Sequence, residues 1–165
     1  MNTQFFKAMS KIAAASVAAI ALLQVVVGWL TKRLPALVAM PLGILVGAGS
    51  MLLMGSFPTL LGACGSFFVF AIAEMIYSPR YYEYVSSFAP KGREGLYMGL
   101  ALVPFGVGGL VGGVLSGRLI AAHLPENGPL RPMSVWGTYA AIGVGCALAL
   151  FVFGLVTRPR RAAAA

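Results

Sequence analysis

The chain has 165 residues, of which 59% are hydrophobic and 10% are charged. Its mean hydropathy of +0.89 is far outside the balance of a soluble domain, so the composition indicates a membrane protein. A net charge of +8 can indicate a nucleic-acid partner, but the basic residues lie at the ends of apolar runs and not in one stripe. No nucleic-acid partner is therefore expected.

Five apolar runs are each long enough to cross about 30 Å of hydrocarbon as a helix. They cover residues 11–30, 36–55, 57–79, 95–122 and 134–156. Only short linkers remain, so the sequence predicts an all-α fold, a polytopic transmembrane helix bundle that forms one integral membrane unit over residues 1–165. A signal peptide is the alternative for the first run, because Lys7 and Lys11 precede an alanine-rich segment, but the run is long and lacks a clear cleavage pattern.

The basic residues also predict the orientation of the chain. One side of the membrane would hold Lys32, Arg33, Arg80, Lys91, Arg93, Arg158, Arg160 and Arg161, and the other Lys7, Lys11, Arg118 and Arg131. Because cytoplasmic loops carry the excess of Lys and Arg, we expect the amino terminus outside and the carboxyl terminus in the cytoplasm. The expected location is the bacterial plasma (inner) membrane.

Glu74, in the stretch "AEMIYSPRYYEYV", is the only acidic residue within a predicted span. A charged side chain at the centre of a membrane helix costs about 2.5–3.5 kcal/mol on insertion scales, so an acid there indicates a function. On a helix, the residues that share its face are Tyr77, Ser78 and Tyr81. This face must look into a cavity or onto a partner helix, and we expect it to bind a proton and a substrate.

Low polarity favours a neutral carboxyl group and a nearby cation favours the charged form, so protonation of Glu74 would couple to whatever binds beside it. The alternative is an acid that reaches the membrane surface and pairs with Arg80 or another basic residue. If the span ends at Pro79, Glu74 lies on the cytoplasmic side of the middle of the membrane. If the helix continues past Pro79, Glu74 lies closer to the membrane centre. Gln24, in the first span, is a second cavity candidate or a polar contact between helices.

The fourth span is rich in glycine. Two ladders at four-residue spacing, Gly108 with Gly112 and Gly109 with Gly113 and Gly117, leave bare backbone on adjoining helix faces. These faces suit either static helix packing or a surface along which a transporter bundle moves. Pro104 would weaken the helix near its middle and allow a bend.

Enzyme chemistry finds little support in the sequence. The spans contain no pair of acids, no histidine to serve as a base, and no Cys and His spacing suited to a metal, so no enzyme, cofactor or metal is expected. Cys64 and Cys146 are interpreted as small packing residues. Tyr81 is also a candidate for an aromatic anchor at the membrane boundary.

Two segments resemble the major facilitator superfamily, particularly its proton-dependent oligopeptide transporter branch. The segment "AEMIYSPRYYEYVSSFAPKGREGLYMGL" resembles the tenth helix, the next cytoplasmic loop and the start of the eleventh helix, and the matching elements are Glu74, Ser78-Pro79, Ala89-Pro90 and Met98-Gly99. "GWLTKRLP" resembles the loop between helices eight and nine. There Gly28, Leu30 and Arg33 match a Gly-x-Leu-x-Asp-Arg pattern in which Lys32 replaces the acid.

The resemblance implies that the five spans are helices eight to twelve of a carrier whose substrate site lies between two six-helix halves. It places Arg33 and Arg93 in cytoplasmic loops. It also implies that Glu74 contacts the amino group of the substrate and binds the coupled proton. Ala101 stands where the peptide carriers commonly have an aromatic residue. The resemblance also implies that the chain is a carboxyl-terminal fragment, or acts with a partner chain.

The sequence therefore predicts secondary, proton-coupled transport of a small polar solute, as in a symporter, and a peptide-like solute is included. The expected partners are the lipid bilayer, the solute with its protons, and the missing amino-terminal half or a partner chain. The alternative is a non-transporting helical scaffold or accessory subunit held together by its glycines.

Overall fold

The computed structural model describes residues 22–124 and 129–162, with side chains as far as residue 157. These ranges contain helices and no strand. The helices are α1 (Leu22–Thr31), α2 (Ala36–Ser56), α3 (Leu60–Ser86), α4 (Glu94–His123) and α5 (Pro132–Ala162). Helices α2 to α5 are long and apolar enough to cross a membrane. The predicted all-α fold is confirmed, and it is consistent with an integral membrane protein.

Parts of two predictions lie outside the described residues. The first is the first predicted span, at residues 11–21, and the second is the orientation, which uses Lys7, Lys11 and the side chains of Arg158, Arg160 and Arg161. The described part of the first span is the short helix α1.

Helix α3 differs from the third predicted span at its carboxyl end. The span was predicted to end at residue 79, whereas α3 continues through Pro79 to Ser86. A proline removes one backbone donor from the helix but leaves the hydrogen bonds of the following turns intact. The helix ends where the Ser87 amide and hydroxyl bond the carbonyls of Glu83 and Tyr84, at 3.1 and 2.7 Å, before Pro90.

Helix α1 belongs to a compact unit that ends at Arg33, and residues from Leu34 onward form a second unit. Within the first unit, the Thr31 hydroxyl donates to the carbonyl of Val27 at 2.8 Å. The ammonium group of Lys32 lies 5.1 Å from the centre of the Trp29 ring, within the range of a cation–π interaction. These contacts hold the carboxyl end of α1 together.

In the second unit, α2 packs along both α3 and α5. Glycines on α2 and α5 make this packing close. A Cβ atom added to Gly43 would lie 3.0 Å from the Cβ of Tyr77 on α3, and one added to Gly143 would lie 3.2 Å from the Cβ of Ala48. Helix backbones approach this closely only where a side chain is absent. The three helices α2, α3 and α5 thus form the packed part of the unit.

Helix α4 packs much more loosely, and its contacts with α3 and α5 are few. Its only buried residue is Ala101, while apolar side chains along its length, such as Leu110 and Val111, are exposed. In a bilayer, such a surface is covered by lipid or by other helices.

Candidate functional site

A cavity of about 340 Å³ lies where α2, α3 and α5 meet. This volume is at the small end of the usual range for ligand sites, about 300–1,000 Å³. Most of its lining is small or aliphatic, with three aromatic rings and one acid. The lining residues are Gly43, Ile44, Gly47, Ala48 and Met51 of α2, Phe70, Ala73, Glu74 and Tyr77 of α3, and Tyr139 and Gly143 of α5.

The same close contacts that join the helices also position the walls of the cavity. Gly43 brings α2 against the backbone of α3 at Tyr77, since its missing Cβ would lie 3.0 Å from the Tyr77 amide nitrogen. Gly143 brings α5 against Ala48 of α2 in the same way. Because these glycines have no side chains to fill the space beside the contacts, an open volume remains between the three helices.

Glu74 lines this cavity and is the only charged residue that does so among the described residues. It is exposed, and it makes no ion pair with any described side chain. The midpoint of α3 is residue 73, so Glu74 lies one residue, or about 1.5 Å of helix rise, from the middle of the helix. The sequence interpretation expected Glu74 closer to the membrane centre if the helix continues past Pro79, and its depth in a membrane stays a prediction.

Glu74 does not pair with Arg80 in the structure, in contrast to the alternative interpretation of the sequence. A guanidinium nitrogen of Arg80 lies 2.5 Å from a carboxylate oxygen of Glu83, one turn further along α3. Only 13% of the Arg80 side chain is exposed, so this pair is partly withdrawn from water. Arg80 is therefore engaged by Glu83, while Glu74 lines the cavity.

Tyr77 lines the cavity beside Glu74, as their shared helix face predicted. It also lines a second groove, between α3 and α4, together with Pro104, Phe105, Gly108 and Gly109. The side chain of Tyr77 therefore lies between the two spaces.

Tyr81 is on the same face but serves a different contact. Its hydroxyl donates to the carbonyl of Ala101 on α4 at 2.8 Å, and its ring stacks on that of Tyr77 with centroids 5.6 Å apart. Its ring also meets that of Phe105 on α4 edge to face, at 5.8 Å. Tyr81 thus joins α3 to α4 and does not line the cavity.

The other two predicted cavity residues lie elsewhere. Ser78 is half-buried on α3 but is not part of the cavity lining. Gln24 belongs to α1, in the first unit.

Most of the lining was not singled out from the sequence, and Tyr139 is the one polar residue among those missed. Its hydroxyl oxygen lies 2.5 Å from the hydroxyl oxygen of Ser116 on α4, where either group can donate, and 3.5 Å from the carbonyl of Gly112. A tyrosine hydroxyl inside an apolar span needs a partner, and this requirement is the signal that could have singled it out. Tyr139 therefore connects the cavity wall to α4.

The glycine ladders of α4 are open in the structure. A Cβ atom added to any ladder residue would meet no described atom within 4 Å, as holds for Gly108, Gly109, Gly112, Gly113 and Gly117. The close contacts between described helices use glycines of α2 and α5 instead. The role of the ladders in packing or gating stays a prediction.

The residues predicted to lie in cytoplasmic loops fall near helix ends. Gly28 and Leu30 are in the last turns of α1, and Arg33 follows that helix. Arg93 immediately precedes α4, and its amide donates to the carbonyl of Pro90 at 3.0 Å. Gly92, beside it, has φ +84, a conformation that residues with a side chain rarely adopt, and its amide donates to Glu94 Oε1 at 3.1 Å. The sequence "KGRE" therefore encodes the turn into α4.

Among the described residues, no group of three or more His, Cys, Asp or Glu side chains is placed to hold a metal ion. In comparisons with protein-family models, curated proteins and solved structures, nothing matched the chain. The cavity and its chemistry are therefore the basis for inferring what the chain does.

Proposed function

We propose that this chain is part of a secondary active transporter that moves a small polar solute across a membrane with proton coupling through Glu74. The observation that carries the proposal is the position of Glu74. It is a carboxyl group near the midpoint of an apolar helix, it lines a cavity of ligand size, and it lacks a described cationic partner. A titratable group placed in this way typically lies on a substrate or proton path in membrane proteins.

The chemistry follows from the cost of charge in a medium of low polarity. A proton and a bound cationic group can each neutralise the Glu74 carboxylate, so the two compete for it. Binding of solute and proton at Glu74 are therefore linked, and by thermodynamic reciprocity each changes the affinity for the other. Movement of the helices around the occupied cavity would then carry whichever of the two is bound to the other side.

The loose packing of α4 supports a role within a larger bundle. Its apolar surface and open glycine ladders are suited to another helix, and its resemblance to a carrier's eleventh helix would place that surface beside other helices of the same transporter. We propose that an amino-terminal half or a partner chain supplies them, and that the protein belongs to the major facilitator superfamily. The positive-inside rule supports a cytoplasmic carboxyl terminus in a plasma membrane.

Uptake into proteoliposomes tests the proposal. The chain, and separately the product of the complete reading frame that contains it, would be reconstituted and offered labelled dipeptides, amines and sugars with and without a proton gradient. We expect gradient-driven uptake that Glu74→Gln abolishes. Glu94→Gln is the control, since Glu94 is an exposed acid outside the cavity lining and a glutamine there can still accept from the Gly92 amide.

Two outcomes would contradict the proposal. Full gradient-driven uptake by Glu74→Gln would remove Glu74 from the coupling. If neither preparation took up any solute although circular dichroism showed folded helices, the non-transporting scaffold would be favoured. Uptake by the chain alone would instead show that no further helices are needed.

A further inference from the structure

We propose that the cavity binds an organic ammonium ion with an apolar body, in preference to an anion or a zwitterion. Its role in transport rests on the proposed function, but the binding itself does not. The inference comes from the charge, the aromatic content and the size of the cavity lining.

The charge of the lining is the first argument. Glu74 is its only charged member, and no described Lys, Arg or His lines the cavity. Arg80, the nearest cation along α3, is paired with Glu83. A carboxylate on the ligand would therefore meet like charge without a compensating cation, whereas an ammonium group would neutralise Glu74. An amino acid or a short peptide, which carries both charges, would leave its own carboxylate unpartnered.

The aromatic rings are the second argument. Phe70, Tyr77 and Tyr139 line the same cavity as the acid. The face of an aromatic ring attracts a cation, by about 0.5–2 kcal/mol depending on how far it is removed from water. An acid together with several rings therefore favours a cationic head group more strongly than either feature alone.

The remaining lining determines the body of the ligand. Small and aliphatic residues of α2, including Gly47 and Met51, provide an apolar surface, and methionine adapts readily to different shapes. The Tyr139 hydroxyl is already bonded to Ser116, so it offers little to a polyhydroxylated ligand. A volume of about 340 Å³ suits one ring with a short side chain. The ligand's polarity should therefore be confined to its cationic end.

An ammonium ion and a proton would compete for Glu74, because each neutralises the same carboxylate. The other titratable groups that line the cavity are the phenols of Tyr77 and Tyr139, from α3 and α5, and α2 contributes none. Neutral phenols carry no charge that could replace that of Glu74. Removing the charge of Glu74 should therefore remove the preference of the cavity for a cation.

Three ligands that share the same ring but differ in charge, one cationic, one neutral and one anionic, test the inference. Phenethylamine, phenethyl alcohol and hydrocinnamate would be titrated into the purified full chain in lipid nanodiscs by isothermal titration calorimetry. We expect phenethylamine to bind at least about tenfold more tightly than the other two. Glu74→Gln should weaken phenethylamine at least about tenfold and leave phenethyl alcohol unchanged, while Glu94→Gln, at an exposed acid outside the lining, should change neither.

Three results would overturn the inference. They are equal or tighter binding of hydrocinnamate, phenethylamine binding that is unaffected by Glu74→Gln, and no binding of phenethylamine by a chain whose helices are intact by circular dichroism. The outcome is separable from that of the proposed function. If another solute is taken up in a Glu74-dependent way but no amine binds, the transport proposal stands and the ammonium ligand is rejected. If an amine binds but no solute is taken up, the ammonium ligand stands and the transport proposal is rejected.

Discussion

Replacing Gly43 by alanine tests the contact on which the cavity depends. The added Cβ would lie 3.0 Å from both the Cβ and the amide nitrogen of Tyr77 and 3.1 Å from the Ala73 carbonyl oxygen, whereas ordinary contact begins near 3.4 Å. Two of these atoms are backbone and cannot rotate away, so α2 and α3 must separate by a few tenths of an ångström. Overpacking of this kind typically costs about 1–3 kcal/mol.

Gly109→Ala is the matched control, because a Cβ atom there meets no described atom within 4 Å. Both substitutions gain the same helix propensity, about 1 kcal/mol over glycine, so the difference between the two variants isolates the steric term. We expect Gly43→Ala to be less stable than Gly109→Ala by about 1–3 kcal/mol.

The free energies of unfolding would be measured by adding a denaturing detergent to the chain in mild micelles and following circular dichroism. A thiol-reactive dye is unsuitable, because Cys64 and Cys146 are exposed before unfolding. Equal stability of the two variants, with unchanged helix content, would refute the close approach of α2 and α3. It would also remove the basis for the cavity geometry.

Three further predictions concern α4 and the orientation of the chain. Tyr81→Phe should lose the hydrogen bond to Ala101 and about 0.5–1.5 kcal/mol of stability, with faster amide hydrogen exchange in the first half of α4 as the check. Tyr139→Phe and Ser116→Ala should each destabilise the chain, and a double-mutant cycle should show that the two losses are not additive, since the hydroxyls share one bond. With the native cysteines replaced, Ser87→Cys should react with an impermeant maleimide only from the cytoplasmic side. Labelling from outside would show that the chain has the opposite orientation.

The helical architecture could be predicted from the sequence because the length and polarity of a membrane-crossing helix are local properties. Each of α2 to α5 overlaps a predicted apolar span. The main difference is at Pro79, where the polar and aromatic residues that follow ended the hydropathic run but not the helix. Hydropathy measures burial in lipid, while a helix ends where its backbone hydrogen bonds end.

A small part of the candidate site could also be predicted, and the reason is again local. The 3.6-residue period places Glu74 and Tyr77 on one face of α3, and both line the cavity. The partners of that face could not be predicted, because they depend on which helices are neighbours and how each is rotated. Tyr139 and Gly43 belong to α5 and α2, and nothing in their own segments points to α3.

The glycines also show that a pattern within one helix does not identify the helix that packs against it. Spacing alone made the ladders of α4 the strongest packing signal in the sequence, yet the close contacts among the described helices lie at Gly43 and Gly143. A ladder shows that a helix can be approached, but the approach also needs a partner with a complementary surface.

Two of the hydrogen bonds that hold α4, from Tyr81 and Tyr139, limit how this helix can move. They attach at the Ala101 carbonyl and the Ser116 hydroxyl, which are fifteen residues apart, or about 22 Å along the axis. A slide of α4 along its axis would break both bonds, whereas a roll about the line that joins the two atoms would keep them. Such a roll would swing Phe105 and Gly108, between the two attachments, toward or away from Tyr77. The width of the groove beside the cavity would then depend on a single angle of rotation.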